Sequence, residues 1–147
     1  MNTARSEYYA TMVPNGAVTL YHDNVVKFAT TSAGVQINGN ANTSVYSLAA
    51  ATGAVTLDFT TYANFHLVLT GTLTLANPTT EISGSSGLIF LKQDGTGSRT
   101  LSLGTDYESP AAAGFTLTTT AGATDIIPYY VVQPGRILLG QIQRGFG

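Results

Sequence analysis

The stretch Gly16-Ala-Val-Thr-Leu-Tyr-His-Asp-Asn-Val-Val-Lys-Phe-Ala-Thr-Thr-Ser-Ala-Gly-Val-Gln-Ile-Asn-Gly-Asn40 decides how this chain must be read, because its apolar pattern has no means of burying itself. As strands, Val18 and Leu20 share one face, the pair Asp23-Asn24 makes a two-residue reversal, Val26 and Phe28 share the next face, and Val35 and Ile37 a third. Such short strands carry almost no core of their own, and isolated hairpins of this size are marginal in water. Copies of the segment wrapped around one another would bury each other's apolar faces, so the pattern predicts an oligomer before it predicts a fold. Gly34 and Gly39 fall at the corners, where positive φ is cheap only for glycine.

On the N-terminal side, residues 1 to 15 are polar, carry the adjacent Tyr8 and Tyr9, and end in the turn signature Pro14-Asn15-Gly16. They read as an arm that needs a partner to order it, with Arg5, Tyr8 and Tyr9 as its docking residues, since Tyr and Arg are enriched at protein contacts. On the C-terminal side, residues 41 to 53 lack strong alternation and read as the passage from arm to head. The expected boundary puts residues 1–43 in an arm with a hairpin unit and residues 44–147 in a β head.

From Ala54 onward, strand signals sharpen. Val55, Leu57 and Phe59 alternate with polar partners, and Phe65, Leu67, Leu69, Leu73 and Leu75 then line one face of a strand pair or of one long strand bent at Gly71. Leu88-Ile-Phe-Leu91 is apolar on both faces and predicts a central strand, which Gln93-Asp-Gly-Thr-Gly-Ser98 turns into Thr100-Leu-Ser-Leu103 as a hairpin. With Phe115-Thr-Leu117, Ile126 to Val132 and Ile137 to Ile142, the expectation is roughly seven or eight strands in an antiparallel β-sandwich or jelly-roll-like head.

Composition agrees with an all-β class. Of 147 residues 44% are hydrophobic, which is too many for a disordered chain, and only 10% are charged, so the surface is polar through hydroxyls and amides rather than ions. A net charge of -2 with six scattered Lys and Arg excludes the clustered cations that a nucleic-acid surface requires. Cysteine is absent, which removes disulfides, thiolate metal sites and thiol nucleophiles. The N-terminus has no apolar core of the kind a secretory signal needs, and the Ile126 to Val132 run is too short to cross a bilayer and is broken by Pro128, so no membrane contact is expected.

No catalytic constellation emerges. His22 beside the Asp23-Asn24 turn and His66 on a polar strand face stand alone, and neither a metal centre nor a triad can be built from them. Among the acids, Asp58, Glu81, Asp94 and Asp125 fall in different elements, and only Asp106 and Glu108 are close in sequence, in a loop where charge is most often solvated. The glycines of Asp94-Gly-Thr-Gly97 have neither the helix nor the lysine of a phosphate cradle. The chain is therefore expected to be no enzyme and to use no metal or cofactor.

Two stretches resemble parts of a known family. Gly16 to Gly39 resembles the element of the form Gly, apolar, Leu-Tyr, Asp-Asn, Lys-Phe, Thr-Thr-x-x-Gly-Val that recurs near the ends of tailed-phage tail fibres and related virion appendages. Leu67-Val-Leu-Thr-Gly-Thr-Leu-Thr-Leu75 and Ile89-Phe-Leu-Lys-Gln-Asp-Gly-Thr-Gly97 resemble the β-rich tip domain that often follows it. The resemblance implies a virion protein and a homotrimer of intertwined hairpins, with Val18, Leu20, Phe28, Val35 and Ile37 in the shared core. With so few residues ahead of the trimer element, the first expectation is a capsid decoration or cement protein whose arm grips the major capsid protein. The alternative is a short tail-fibre or receptor-binding tip, reading a host surface glycan through Asp106, Tyr107, Tyr129 and Tyr130. A glycan-cleaving tailspike is a third reading, for which no carboxylate pair is visible.

Overall fold

Turn chemistry at Pro14-Asn15 and Asp23-Asn24 folds the start of the chain into an antiparallel meander of β1 (Ala10–Met12), β2 (Val18–His22), β3 (Val25–Thr31) and β4 (Gly34–Ile37), in that order across the sheet. The computed structural model describes residues 7–147, and the chain divides after Asn42 into two units. The amide of Gly16 donates to the Val13 carbonyl at 2.8 Å around Pro14 and Asn15, whose φ of 58° is the left-handed residue that a type II turn requires. Asp23 and Asn24 both have positive φ, 54° and 57°, the geometry of the two-residue turn whose twist matches paired strands.

Two expectations for this unit are corrected. Residues 10–12, read as part of a free arm, are a strand paired with β2, and Tyr8 is held to the same unit by its amide on Asn24 Oδ1 at 3.1 Å and by its ring against Tyr21. The arm was misread because the alternation of Ala10 and Met12 is too short to stand out, although the Pro14-Asn15-Gly16 turn marks a hairpin between them and Val18-Leu20. Val26 and Phe28 do not share a face. The register pairs Phe28 with Leu20 but Val26 with Tyr21, so Lys27 is the extra residue of a β-bulge that flips one of the two across the sheet.

The second unit is one eight-stranded sheet: β5 (Val45–Thr56), β6 (Asn64–Ala76), β7 (Ser86–Gln93), β8 (Leu101–Leu103), β9 (Tyr107–Glu108), β10 (Thr124–Gln133), β11 (Arg136–Leu139) and β12 (Gln143–Phe146). The order is β5-β6-β7-β10-β11-β9, with β8 also on β6 and β12 also on β10. This overturns the antiparallel sandwich. β5, β7 and β8 are all parallel to β6, and β9 is parallel to β11, while β10 runs antiparallel to β7, β11 and β12. Alternation tells which side chains point inward but nothing about which way a neighbouring strand runs.

Chain length forces this sheet to curl. A straight strand of 12 residues such as β5 would span about 40 Å, yet residues 57–63, which can reach about 25 Å at most, return the chain to the point where Asn64 sits beside Val45. The bend is visible where the β5–β6 register shifts between Leu48 and Gly53, opposite Gly71, where a Cβ would run into the Thr52 side chain. Inside the curl, Leu57, Phe59, Phe65, Leu67, Leu69, Leu73, Leu75, Ile89, Leu91, Ile127, Val131 and Ile137 are buried. Of the two readings left open for Phe65 through Leu75, the single long strand is the one formed, and Leu88 to Leu91 lies in a central strand as expected.

Three further expectations fail. Residues 45–53 of the stretch read as a passage belong to β5, because a strand at a bend with small residues lacks clean alternation. Gln93 to Ser98 is a crossover rather than a hairpin: β7 pairs with the first half of β6, β8 with the second, and the chain continues in the same direction. Phe115 to Leu117 is not a strand, although Leu117 is buried; the buried Asp125 carboxylate accepts from the Thr118 amide at 2.7 Å and from the Gly145 amide at 2.9 Å and so fastens this segment without a ladder.

Candidate functional site

The strand register of the first unit collects apolar side chains on one face. Leu20 stands opposite Ala10 and Phe28, Val18 opposite Met12, Ile37 opposite Phe28, and Val35 opposite Thr30. Since side chains of paired residues project to the same side, Val18, Leu20, Phe28, Val35 and Ile37 lie on a single face, joined by Met12 from β1. The face is uncovered: Met12 is 76% exposed, Val35 62%, Ile37 49% and Leu20 43%, while Val18 and Phe28 are half-buried. The opposite face carries Thr19, Tyr21, Val26 and Ala29, with Tyr8 over Tyr21. Met12 is the member that sequence reasoning missed. Of the docking residues assigned to the arm, Tyr8 and Tyr9 are exposed and Arg5 lies outside the described residues.

In the head, the residues assigned to receptor loops separate. Tyr107 and Tyr129 are core residues, packed with Phe59 at ring distances of 6.4 and 4.8 Å, so neither offers an aromatic surface to a ligand. Burial raises both hydroxyls, that of Tyr129 to about 12, and both stay neutral. Tyr129 donates to the Ala63 carbonyl at 2.9 Å, whereas the Tyr107 hydroxyl has no partner among the described residues. Tyr130 is exposed beside Leu138 on the outer face of the sheet, and Asp106 is half-buried where its carbonyl accepts the Ile137 amide.

The acids are engaged in holding loops. Glu108 makes a two-bond fork with Arg136, at 2.8 and 3.1 Å, which lowers the carboxyl and raises the guanidinium; 28 positions of chain separate them, and nothing in the sequence pairs them. Asp94 accepts from Arg99 and from the Thr96 and Gly97 amides, and the Arg99 hydrogen bond is the main reason its pKa falls to about 2. Asp58 sits well below the usual carboxylate range because Thr60 and Thr61 donate to it. His22 is exposed, and His66 lies 3.5 Å from Ser47 Oγ. Among the described residues no group of three or more His, Asp or Glu is placed to hold a metal ion, and no helix is long and apolar enough to cross a membrane.

β8, β9 and residues 109–114 surround an open cavity of about 760 Å³, which includes one edge of Tyr107 and the Glu108 side of the Glu108–Arg136 fork.

Comparison with known proteins bears on the head. Residues 52–135 match the family model described as "Putative phage tail fibre C-terminal domain", a span covering more than half of the chain and running from the middle of β5 past the end of β10. It includes both head stretches that resemble the tip domain, while Gly16 to Asn40 lies outside it. Comparisons with curated proteins and with solved structures gave no match. The match gives no support to a capsid cement role or to the major capsid protein as partner, and it favours the tail-fibre alternative. On the strength of residues 52–135, the chain belongs to the phage tail fibre C-terminal domain family and is a structural component of the phage particle.

Proposed function

We propose that this chain is a receptor-binding tip segment of a tail fibre, assembled as a homotrimer through the uncovered face of its first sheet, and that its head engages a glycan on the host surface. The observation that carries the tip role is the family match over residues 52–135. Self-association is supported by Met12, Leu20, Val35 and Ile37, which place an apolar strip in water that a single chain leaves open. An isologous or ring-forming contact between copies removes that strip from water at once on every subunit. The number three is what the fibre resemblance implies.

The role is binding rather than catalysis. Asp58, Asp94, Glu108 and Asp125 each spend their oxygens on backbone amides, hydroxyls or an arginine, which suits rigid loops better than proton transfer.

Two measurements test the proposal. Phe28→Asp places a charge at the middle of the uncovered face and is expected to reduce the mass seen by light scattering from trimer to monomer; a wild-type monomer, or an unchanged oligomer in the variant, removes this interface. Gold-labelled antibody against the chain is expected to decorate tail ends on intact particles, and label spread over the capsid shell would restore the decoration reading.

A further inference from the structure

We infer that the cavity between β8, β9 and residues 109–114 is the binding site for a neutral saccharide; this inference rests on the receptor-tip reading and assigns its contact site. Its volume of about 760 Å³ falls within the range of pockets that enclose small ligands. Backbone strain is concentrated on its rim. Ala111 and Ala112 are consecutive non-glycine residues in the left-handed region, at φ 55° and 54°, a conformation that survives only where the surroundings over-determine it. Here the surroundings do so: the Ala112 amide donates to the Ser109 carbonyl at 2.9 Å, the Ala113 amide to the Pro110 carbonyl at 3.2 Å, and the Gly114 amide to Ser109 Oγ at 2.8 Å. A surface loop with no task would relax, or would carry glycine at those positions.

The chemistry of the lining selects the ligand class. Its one charged side chain among the described residues, Glu108, is matched by Arg136 in a two-bond fork, so these residues present no unpaired charge to attract an anion or a cation. Hydroxyls supply the polar contacts. Ser109 Oγ accepts from Gly114 and keeps its own proton to donate, and Ser102 stands exposed on β8, whereas Thr105 Oγ1 is engaged, accepting from Asn77 at 2.7 Å and donating to Asp106 Oδ1 at 3.4 Å. Leu101, Leu103 and Ala113 provide apolar surface between these hydroxyls, which suits the C–H faces of a sugar ring.

The test is a titration of the ¹⁵N-labelled full chain with neutral hexose and N-acetylhexosamine oligosaccharides, with uronic-acid oligosaccharides as the charged comparison. Saturable amide shifts confined to residues 101–114 are expected with a neutral sugar. Ala113 lines the cavity and is exposed with ordinary right-handed backbone angles, so Ala113→Trp adds bulk to the lining without backbone strain and is expected to weaken that binding about tenfold or more; Ser102→Tyr adds bulk from β8. No saturable shift with any neutral sugar, a preference for the acidic ones, or unchanged affinity in both variants overturns the site. Adsorption of the purified chain to host cells separates the two readings. Adsorption that persists in both filled variants keeps the receptor role and overturns this site, whereas pocket shifts without any adsorption keep the site and overturn the receptor role.

Discussion

Replacing Gln93 with Met is expected to destabilise the head by about 2–4 kcal/mol, although nothing in the sequence marks this glutamine as structural. Gln93 is 2% exposed at the end of β7, and its amide acts as a substitute strand for Arg99: Nε2 donates to the Arg99 carbonyl at 3.0 Å, and Oε1 accepts the Arg99 amide at 2.8 Å. Methionine keeps the volume and loses both bonds. The cost is that of the Arg99 amide and carbonyl left without partners, about 1–3 kcal/mol each where water cannot reach them. Partial access of water to this part-buried site brings the sum down to the stated range. Urea unfolding at fixed protein concentration measures it directly, and a fall in melting temperature of roughly 8–20 °C should accompany it. The Asp94 grip on the same arginine makes the effects of Gln93→Met and Asp94→Ala non-additive. A Gln93→Met midpoint within about 0.5 kcal/mol of wild type would refute the view that the amide, rather than local turn propensity, holds the β7–β8 crossover.

Gly87→Ala should abolish soluble expression or lower stability sharply, because the added Cβ would collide with the Ala63 carbonyl, a backbone atom that also receives the Tyr129 hydroxyl; a melting temperature equal to wild type would contradict the close approach of β7 to residue 63. Asp125→Asn keeps the size but turns one acceptor into a donor facing an amide, and is expected to cost about 2–3 kcal/mol and to speed hydrogen exchange at Thr118 and Gly145. Acid should weaken the β7–β8 crossover through Asp94. Its folded pKa of about 2 lies below the ordinary 3.8, so its contribution is complete above about pH 4 and is lost as pH falls towards 2. Asp94→Asn is expected to flatten that part of the stability profile, and an identical slope in the variant would assign the acid sensitivity to other carboxylates.

The alternation of Phe65, Leu67, Leu69, Leu73 and Leu75, the doubly apolar Leu88 to Leu91 and the turn pair Asp23-Asn24 were legible because each is a local pattern, and burial or backbone geometry follows from residues a few positions apart. The five apolar residues of the uncovered face were legible for the same reason, although two of the premises behind them were not: Lys27 bulges out of the ladder, and Met12 joins from a strand read as an arm. Among the candidate head residues, Tyr107 looked like a loop aromatic from its Gly, Ser and Pro context, and Tyr129 was grouped with it although it falls in the expected strand Ile126 to Val132; the curl of the sheet puts both against Phe59 instead. The Glu108–Arg136 fork and the cavity beside it depend on β9 lying parallel to β11, a pairing that no short-range signal encodes.

What the sequence by itself determined is therefore the all-β class, the faces of its longest strands, and the apolar strip of residues 18–37 that the chain leaves uncovered, all of them consequences of two-residue periodicity and of turn residues with special backbone angles. Only the tertiary structure decided that β5, β7 and β8 run parallel to β6, that Gln93 to Ser98 crosses over rather than turns back, and that β8, β9 and residues 109–114 border an open cavity. The reason is physical. Strand direction and partner are set by how far a short connection can reach and by which buried amide finds a carbonyl, and those are distances between residues far apart in the chain.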